Sequence, residues 1–185
     1  MRPIVSLLVL ASAAASSPAG AQMLVLGETP AASCYQHALS GRADRQALSD
    51  CDMALETYGE LRRNIVATHV NRGIVLMRMD RNEEALASFD DAEDGGLRDI
   101  SALALNRSSA LIRLDRSLDA IAQTDLVIEA GDGHLAAAWF NRGVAFEALG
   151  DLEAAYDAYS RALDARPGWH MAERELARFT VRSGS

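Results

Sequence analysis

Apolar residues recur along this chain every three to four positions, in paired runs separated by short turns rich in Gly, Asp and Asn. That spacing predicts amphipathic helices joined as hairpins, with no stretch of strand-like alternation. Ala31–Leu39 reads as a short helix ended by Ser40-Gly41, and Ala43–Tyr58 as its partner, with Ala47, Leu48, Cys51, Ala54 and Leu55 on one face and Gly59 at the joint. Asn64–Met79 is the next helix, with Val66, Val70, Gly73, Ile74 and Met77 inside. Asp80-Arg81-Asn82 turns the chain, and Asn82 is the expected N-cap of a helix carrying Ala85, Leu86, Phe89 and Ala92. Glu83 and Glu84 in its first turn suit the helix dipole, and Asp94-Gly95-Gly96 stops it. Asp99–Leu114 pairs with Ser117–Ala130, where Ser117 is the expected N-cap. Ala138–Gly150 pairs with Asp151–Pro167. Trp169–Arg182 is one further amphipathic helix, apolar at Met171, Leu176 and Phe179 and polar at Glu173, Arg174, Arg178 and Arg182.

The hairpins repeat in phase. Asn71-Arg72-Gly73, Asn106-Arg107-Ser108 and Asn141-Arg142-Gly143 stand 35 residues apart, and the matching second helices carry Ala85, Ala120 and Ala155, then Phe89, Thr124 and Tyr159. A weaker copy runs from Ala31 to Thr57. In the last copy, Trp139, Gly143, Phe146, Ala155, Tyr159, Ala162 and Pro167 come in the order of a tetratricopeptide repeat, which this segment resembles. Arg142 stands where that family usually has Leu. The expected fold is therefore all-α: a superhelical stack of about four helix-turn-helix repeats with a C-terminal capping helix. The resemblance implies a right-handed superhelix whose concave face is lined by the first helix of each repeat.

The expected organisation is a signal peptide at 1–21, a leader at 22–30, a degenerate repeat at 31–58, repeats at 64–95, 99–130 and 136–168, and a capping helix at 169–182. Arg2 supplies the positive start of the signal, Ile4–Leu10 its apolar core, and Ala19-Gly20-Ala21 the small-residue cleavage site. The apolar run is far shorter than the ~20 residues that span a bilayer, so cleavage and export are expected rather than a retained anchor. The expected location is the periplasm or the cell exterior, with no stable membrane insertion after cleavage. All 18 basic residues are Arg, which with the abundant Ala points to a GC-rich bacterial genome. The formal net charge of −8 disfavours a nucleic-acid partner, because attraction to phosphate is missing.

Cys34 and Cys51 lie on the two helices of the first hairpin, with its turn about midway between them, which puts both at the same height. An exported protein permits a disulfide between them; the alternative is two buried thiols. Asp52, Asp90 and Asp125 on second helices come out level with Arg72, Arg107 and Arg142 on the next first helices, which predicts a ladder of ion pairs setting repeat register, against the alternative that all six face water.

The resemblance also implies a binding face. In this family an Asn at the place of Asn71, Asn106 and Asn141 often hydrogen-bonds the backbone of an extended peptide, since an amide both donates and accepts. Ile74, Met77, Arg78, Ser109, Ile112, Arg113, Phe140, Val144 and Glu147 are the neighbours expected to line that groove. The alternative is that these Asn only tie adjacent helices together. The family's chaperone-tail binders hold a carboxylate with Lys and Arg, but this chain has no Lys and carries Ser33 and Gln36 where a base would be wanted.

No phosphate-binding glycine loop, His-Glu-x-x-His motif or nucleophile elbow is present, and His37, His69, His134 and His170 share no ligand spacing. No enzymatic activity, metal or cofactor is expected. The expected function is a non-enzymatic adaptor that takes a protein or extended peptide in its concave groove. The alternative is a structural subunit of a cell-envelope complex, docked through the repeat edge or the capping helix at Trp169, Met171 or Phe179.

Overall fold

The structure is a computed structural model that describes residues 29–57 and 61–179. The expected signal peptide, most of the leader, Gly59 and the end of the capping helix lie outside the described residues. Among those described there are nine helices and no strand: α1 (Pro30–Ser40), α2 (Arg45–Glu56), α3 (Arg62–Arg78), α4 (Asn82–Asp94), α5 (Ile100–Arg113), α6 (Ser117–Ala130), α7 (Leu135–Ala148), α8 (Leu152–Ala165) and α9 (His170–Leu176).

Helix starts are set by side chains that satisfy otherwise orphaned backbone donors. Thr29, Asp44, Asp99 and Asp151 each accept from the backbone N–H three residues on. Asn82 and Ser117 do not cap as expected. They are the first helical residues, and Arg81 and Arg116 hold the cap positions without a side-chain bond. The reason lies just before the cap. Asp80 and Asp115 adopt φ of 61° and 56°, the left-handed conformation that Gly150 adopts at 80° in the last repeat. Each then closes its first helix in the same way: Arg81, Arg116 and Asp151 donate back to Leu76, Leu111 and Phe146 at 3.0, 2.9 and 3.0 Å. Three Schellman turns in one phase give three hairpins of one shape.

Within a hairpin, small residues let large ones in. Phe89 lies on Gly73 and Tyr159 on Gly143, so closely that neither glycine has room for a Cβ. The middle repeat solves the same contact with smaller partners, Ser108 and Thr124, both fully buried. Between hairpins, each second helix packs on the next first helix, and the first helices α1, α3, α5 and α7 also touch one another. The first helices thus form an inner layer and the second helices an outer one. One apolar cluster runs from Cys34 and Cys51 through Ile74 and Phe89 to Leu103, and another joins Phe140, Tyr159 and Trp169 at the C-terminal end. Trp169 packs against Phe140 with tilted rings whose centroids are 5.1 Å apart, so α9 covers the last hairpin as a cap.

Cys34 and Cys51 are joined in a disulfide, with Cα atoms 4.7 Å apart across the first hairpin. Among the described residues no helix is long and apolar enough to cross a membrane.

Candidate functional site

The expected ladder is present in full. Arg72 Nε donates to Asp52 at 2.7 Å, and Arg72 Nη1 to Ser88 Oγ at 2.7 Å. Arg107 reaches Asp90 at 2.5 Å and Glu93 at 2.6 Å, and Arg142 pairs with Asp125. Each arginine leaves a first helix and meets a carboxylate of the second helix before it, so the ladder bridges each repeat to the one before.

Charge is sorted between the two layers. The inner helices α1, α3, α5 and α7 carry seven arginines and one carboxylate, Glu147. The outer helices α2, α4, α6 and α8 carry fifteen carboxylates and two arginines. An acidic chain therefore presents a basic inner layer.

The inner layer is tighter than the sequence implies. Asn71 and Asn106 are 0 % and 1 % exposed, and Asn141 is 6 % exposed. The Asn141 amide donates to Ser108 Oγ at 2.9 Å and Ser109 Oγ at 3.0 Å, tying α7 to α5. Ile74, Met77 and Phe140 are also buried, the last under Trp169. These six positions therefore sit inside the stack, closed over by neighbouring first helices or by α9, and not on an open groove. Of the residues expected to line it, Arg78, Ser109, Ile112, Arg113 and Val144 reach the surface, each partly exposed.

Glu147, also partly exposed, is already engaged. It accepts from Tyr159 Oη at 3.0 Å and pairs with Arg178, which also bonds Glu175. Burial, and then the Glu147 charge, push the Tyr159 hydroxyl far above its ordinary pKa, so it stays a neutral donor. This cluster locks α9 to the last hairpin.

Two open hollows lie on single hairpins, one on α7 and α8 and one on α1 and α2. One, of about 290 Å³, is walled by Trp139 and Phe146 and floored by Ala154 and Ala158. The Arg142 and Arg161 guanidinium carbons lie 5.7 and 4.8 Å from the Trp139 ring centroid there. The other, of about 600 Å³, lies on α1 and α2 beside Ala32, Gln36 and Met53. Neither is visible in the sequence, although Trp139 with Arg142 and Arg161 is a readable cation–π pattern. Among the described residues no group of three His, Cys, Asp or Glu side chains is placed to hold a metal ion.

Residues 136–168 match the family model described as the tetratricopeptide repeat. No curated protein matches the chain. The first tetratricopeptide-repeat domain of the human RPAP3 protein, solved by NMR, is similar in structure with a TM-score of 0.56 and 26% identity, over 61% of this chain and 87% of that one. MamA from Desulfovibrio magneticus RS-1, from residue 41 to its end, superposes with a TM-score of 0.62 at 18% identity, over 83% of this chain and 85% of that one. A MamA RS-1 ArsTM double mutant gives 0.63, also at 18% identity, over 83% of this chain and 84% of that one. With the Gly143–Tyr159 packing, the Schellman turns and the two-layer stack, these matches show a tetratricopeptide repeat at residues 136–168 within an all-α stack of the fold those domains share.

Proposed function

We propose that this protein is a non-enzymatic adaptor whose inner layer holds an extended segment of a partner protein. The observation that carries the reading is the contrast in charge between the two layers: on the inner helices arginines outnumber carboxylates, and on the outer helices carboxylates outnumber arginines. Ser109, Ile112 and Val144 offer a hydroxyl and two aliphatic contacts on neighbouring first helices, and Arg78 and Arg113 end α3 and α5. The buried Asn141 supports this surface from beneath by tying α7 to α5, and Asn71 and Asn106 are buried in the same layer.

Export is part of the same proposal. The pattern of residues 1–21 supports it, and a disulfide suits an oxidising compartment. N-terminal sequencing of protein from the source cells should begin at Gln22; a chain that retains Met1–Ala21 would contradict export by cleavage.

Substitution tests the binding face. Val144→Arg with Ser109→Arg places bulk and charge on the inner surface and should abolish partner capture. Glu129→Arg on the outer layer should leave it unchanged. The reverse pattern would move the site to the outer helices.

A further inference from the structure

We propose that the hollow on the last hairpin is a second binding site, and that it takes a neutral aromatic side chain of a partner protein, flanked there by Lys or Arg. The site is separate from the surface at Ser109, Ile112 and Val144. Trp139, Arg142 and Phe146 recur at helical spacing on one side of α7, and Val144 falls on the opposite side.

The hollow is particular to this repeat. In phase with Trp139 and Arg161, the middle repeat has Ala104 and Leu126, and the repeat before it has His69 and Asp91, which pair at 3.4 Å. In phase with Phe146 stand Leu111 and Leu76, both buried, whereas Phe146 is partly exposed. The floor is small, at Ala154 and Ala158, where the middle repeat has Asp119 and Gln123. Large walls over a small floor leave about 290 Å³. That is the lower end of the range for small-molecule pockets, with room for one large side chain.

The chemistry of the walls selects that side chain. The Arg161 guanidinium carbon lies 4.8 Å from the Trp139 ring centroid, and that of Arg142 lies 5.7 Å from Trp139 and 5.3 Å from Phe146. Both guanidinium groups already have a counter-charge: Arg142 pairs with Asp125, and Arg161 Nε donates to Asp157 at 2.8 Å. An incoming carboxylate would have to displace one of these partners. An incoming ammonium group would be set against two guanidinium groups. A neutral ring meets neither cost. It can lie flat on a guanidinium plane and edge-on to Trp139 or Phe146, extending the stack that the hollow begins.

The rim selects what stands beside the ring. The helices α6 and α8 carry six carboxylates and a single arginine, Arg161. Glu153 and Asp164 share one side of α8 with Asp157, four residues before it and seven after. Among the described residues neither has an arginine or histidine within ion-pair distance. Lys or Arg on either side of the aromatic residue would supply those counter-charges.

Blocked five-residue peptides test this: Lys-Ser-Trp-Ser-Lys, and the same peptide with Leu for Trp or with Glu for both Lys. Each is titrated into the purified protein by NMR, with the Trp139 indole N–H and the Ala154 and Ala158 amides as reporters. The parent peptide should shift these signals saturably and bind about fivefold or more tighter than the Leu peptide. It should also bind tighter than the Glu peptide, by a margin that shrinks at about 300 mM salt. Ala154→Leu fills the hollow and should abolish the shifts at Trp139 and Ala158. Arg161→Gln should erase the preference for Trp over Leu. Val144→Arg should leave the binding unchanged.

Equal affinity for the Trp and Leu peptides would overturn the aromatic ligand. A Glu peptide that binds as tightly as the parent at low salt would overturn the basic flanks. Binding that survives Ala154→Leu, or shifts centred on Ser109 and Val144 with none at Trp139, would overturn the hollow as the site. No saturable shift with any peptide would overturn the proposal outright, and would leave the inner-layer reading to its own test. The peptide comparisons use the unaltered protein, so they stand even if a variant folds poorly.

Discussion

Gly143 and Tyr159 occupy one shared space: a Cβ added to Gly143 would lie 2.6 Å from the Tyr159 ring. A rigid ring cannot yield that much without moving its helix. Gly143→Ala should therefore destabilise the protein by about 1–3 kcal/mol, measured by urea denaturation. The penalty should shrink in a Tyr159→Thr background, which copies the Ser108 and Thr124 pair of the middle repeat. An undiminished penalty there would mean that the cost arises elsewhere.

The Cys34–Cys51 disulfide closes the first hairpin, its two cysteines 17 positions apart in sequence. On the chain-entropy model such a loop is worth about 3 kcal/mol. Thermal melting with and without a reductant should show a lower midpoint when reduced, and hydrogen exchange should rise first in α1 and α2. Full alkylation of both thiols in unreduced protein would show that the bond does not form.

The ladder should show a measurable coupling at Arg107, which bonds Asp90 and Glu93 together. A double-mutant cycle on Arg107→Ala and Asp90→Ala should give a coupling of about 0.5–1 kcal/mol, decreasing with salt. The value is modest because Asp90 is largely exposed and because Glu93 retains the arginine when Asp90 is lost. A coupling near zero would make the ladder a set of surface contacts with no role in register.

His69 gives the fold a pH dependence. Burial of its ring lowers its pKa from 6.5, outweighing the opposing pull of Asp91, and Arg72 lowers it further. The unfolded chain then takes up its proton at higher pH than the folded one. Stability from this group is complete above pH 6.5 and is lost as the pH falls through the folded value. Melting midpoints between pH 7 and pH 5 should fall, and His69→Gln should flatten part of that slope. An identical slope in the variant would remove His69 from the account.

Counting along antiparallel helices makes much of the fold legible in the sequence. The 35-residue phase, the level placement of Cys34 with Cys51, and the three Asp–Arg pairs all depend on spacing alone. The openness of the inner layer does not. Periodicity says which residues share a helix face, and is silent on whether neighbouring helices close over it. Asn71 and Asn106 are closed over in this way, while Arg78 spans from α3 to Ala38 of α1. The caps expected at Asn82 and Ser117 fall one residue earlier for a related reason: the left-handed Asp80 and Asp115 carry the chain through a Schellman turn before the next helix begins. An Asp in phase with Gly150 is the sequence signal of that turn.

Whether the inner layer, and not the outer one, meets the partner is tested most directly by site-specific photocrosslinking in the source cells. The crosslinker is placed at Ile112 or Val144 on the inner surface, at Glu129 or Ala122 on the outer helix α6, and at His170 on α9. A discrete adduct to one partner is expected from Ile112 and Val144 and none from the outer positions. Adducts only from α6 would contradict it, and adducts only from His170 would make the protein a subunit docked through its capping helix.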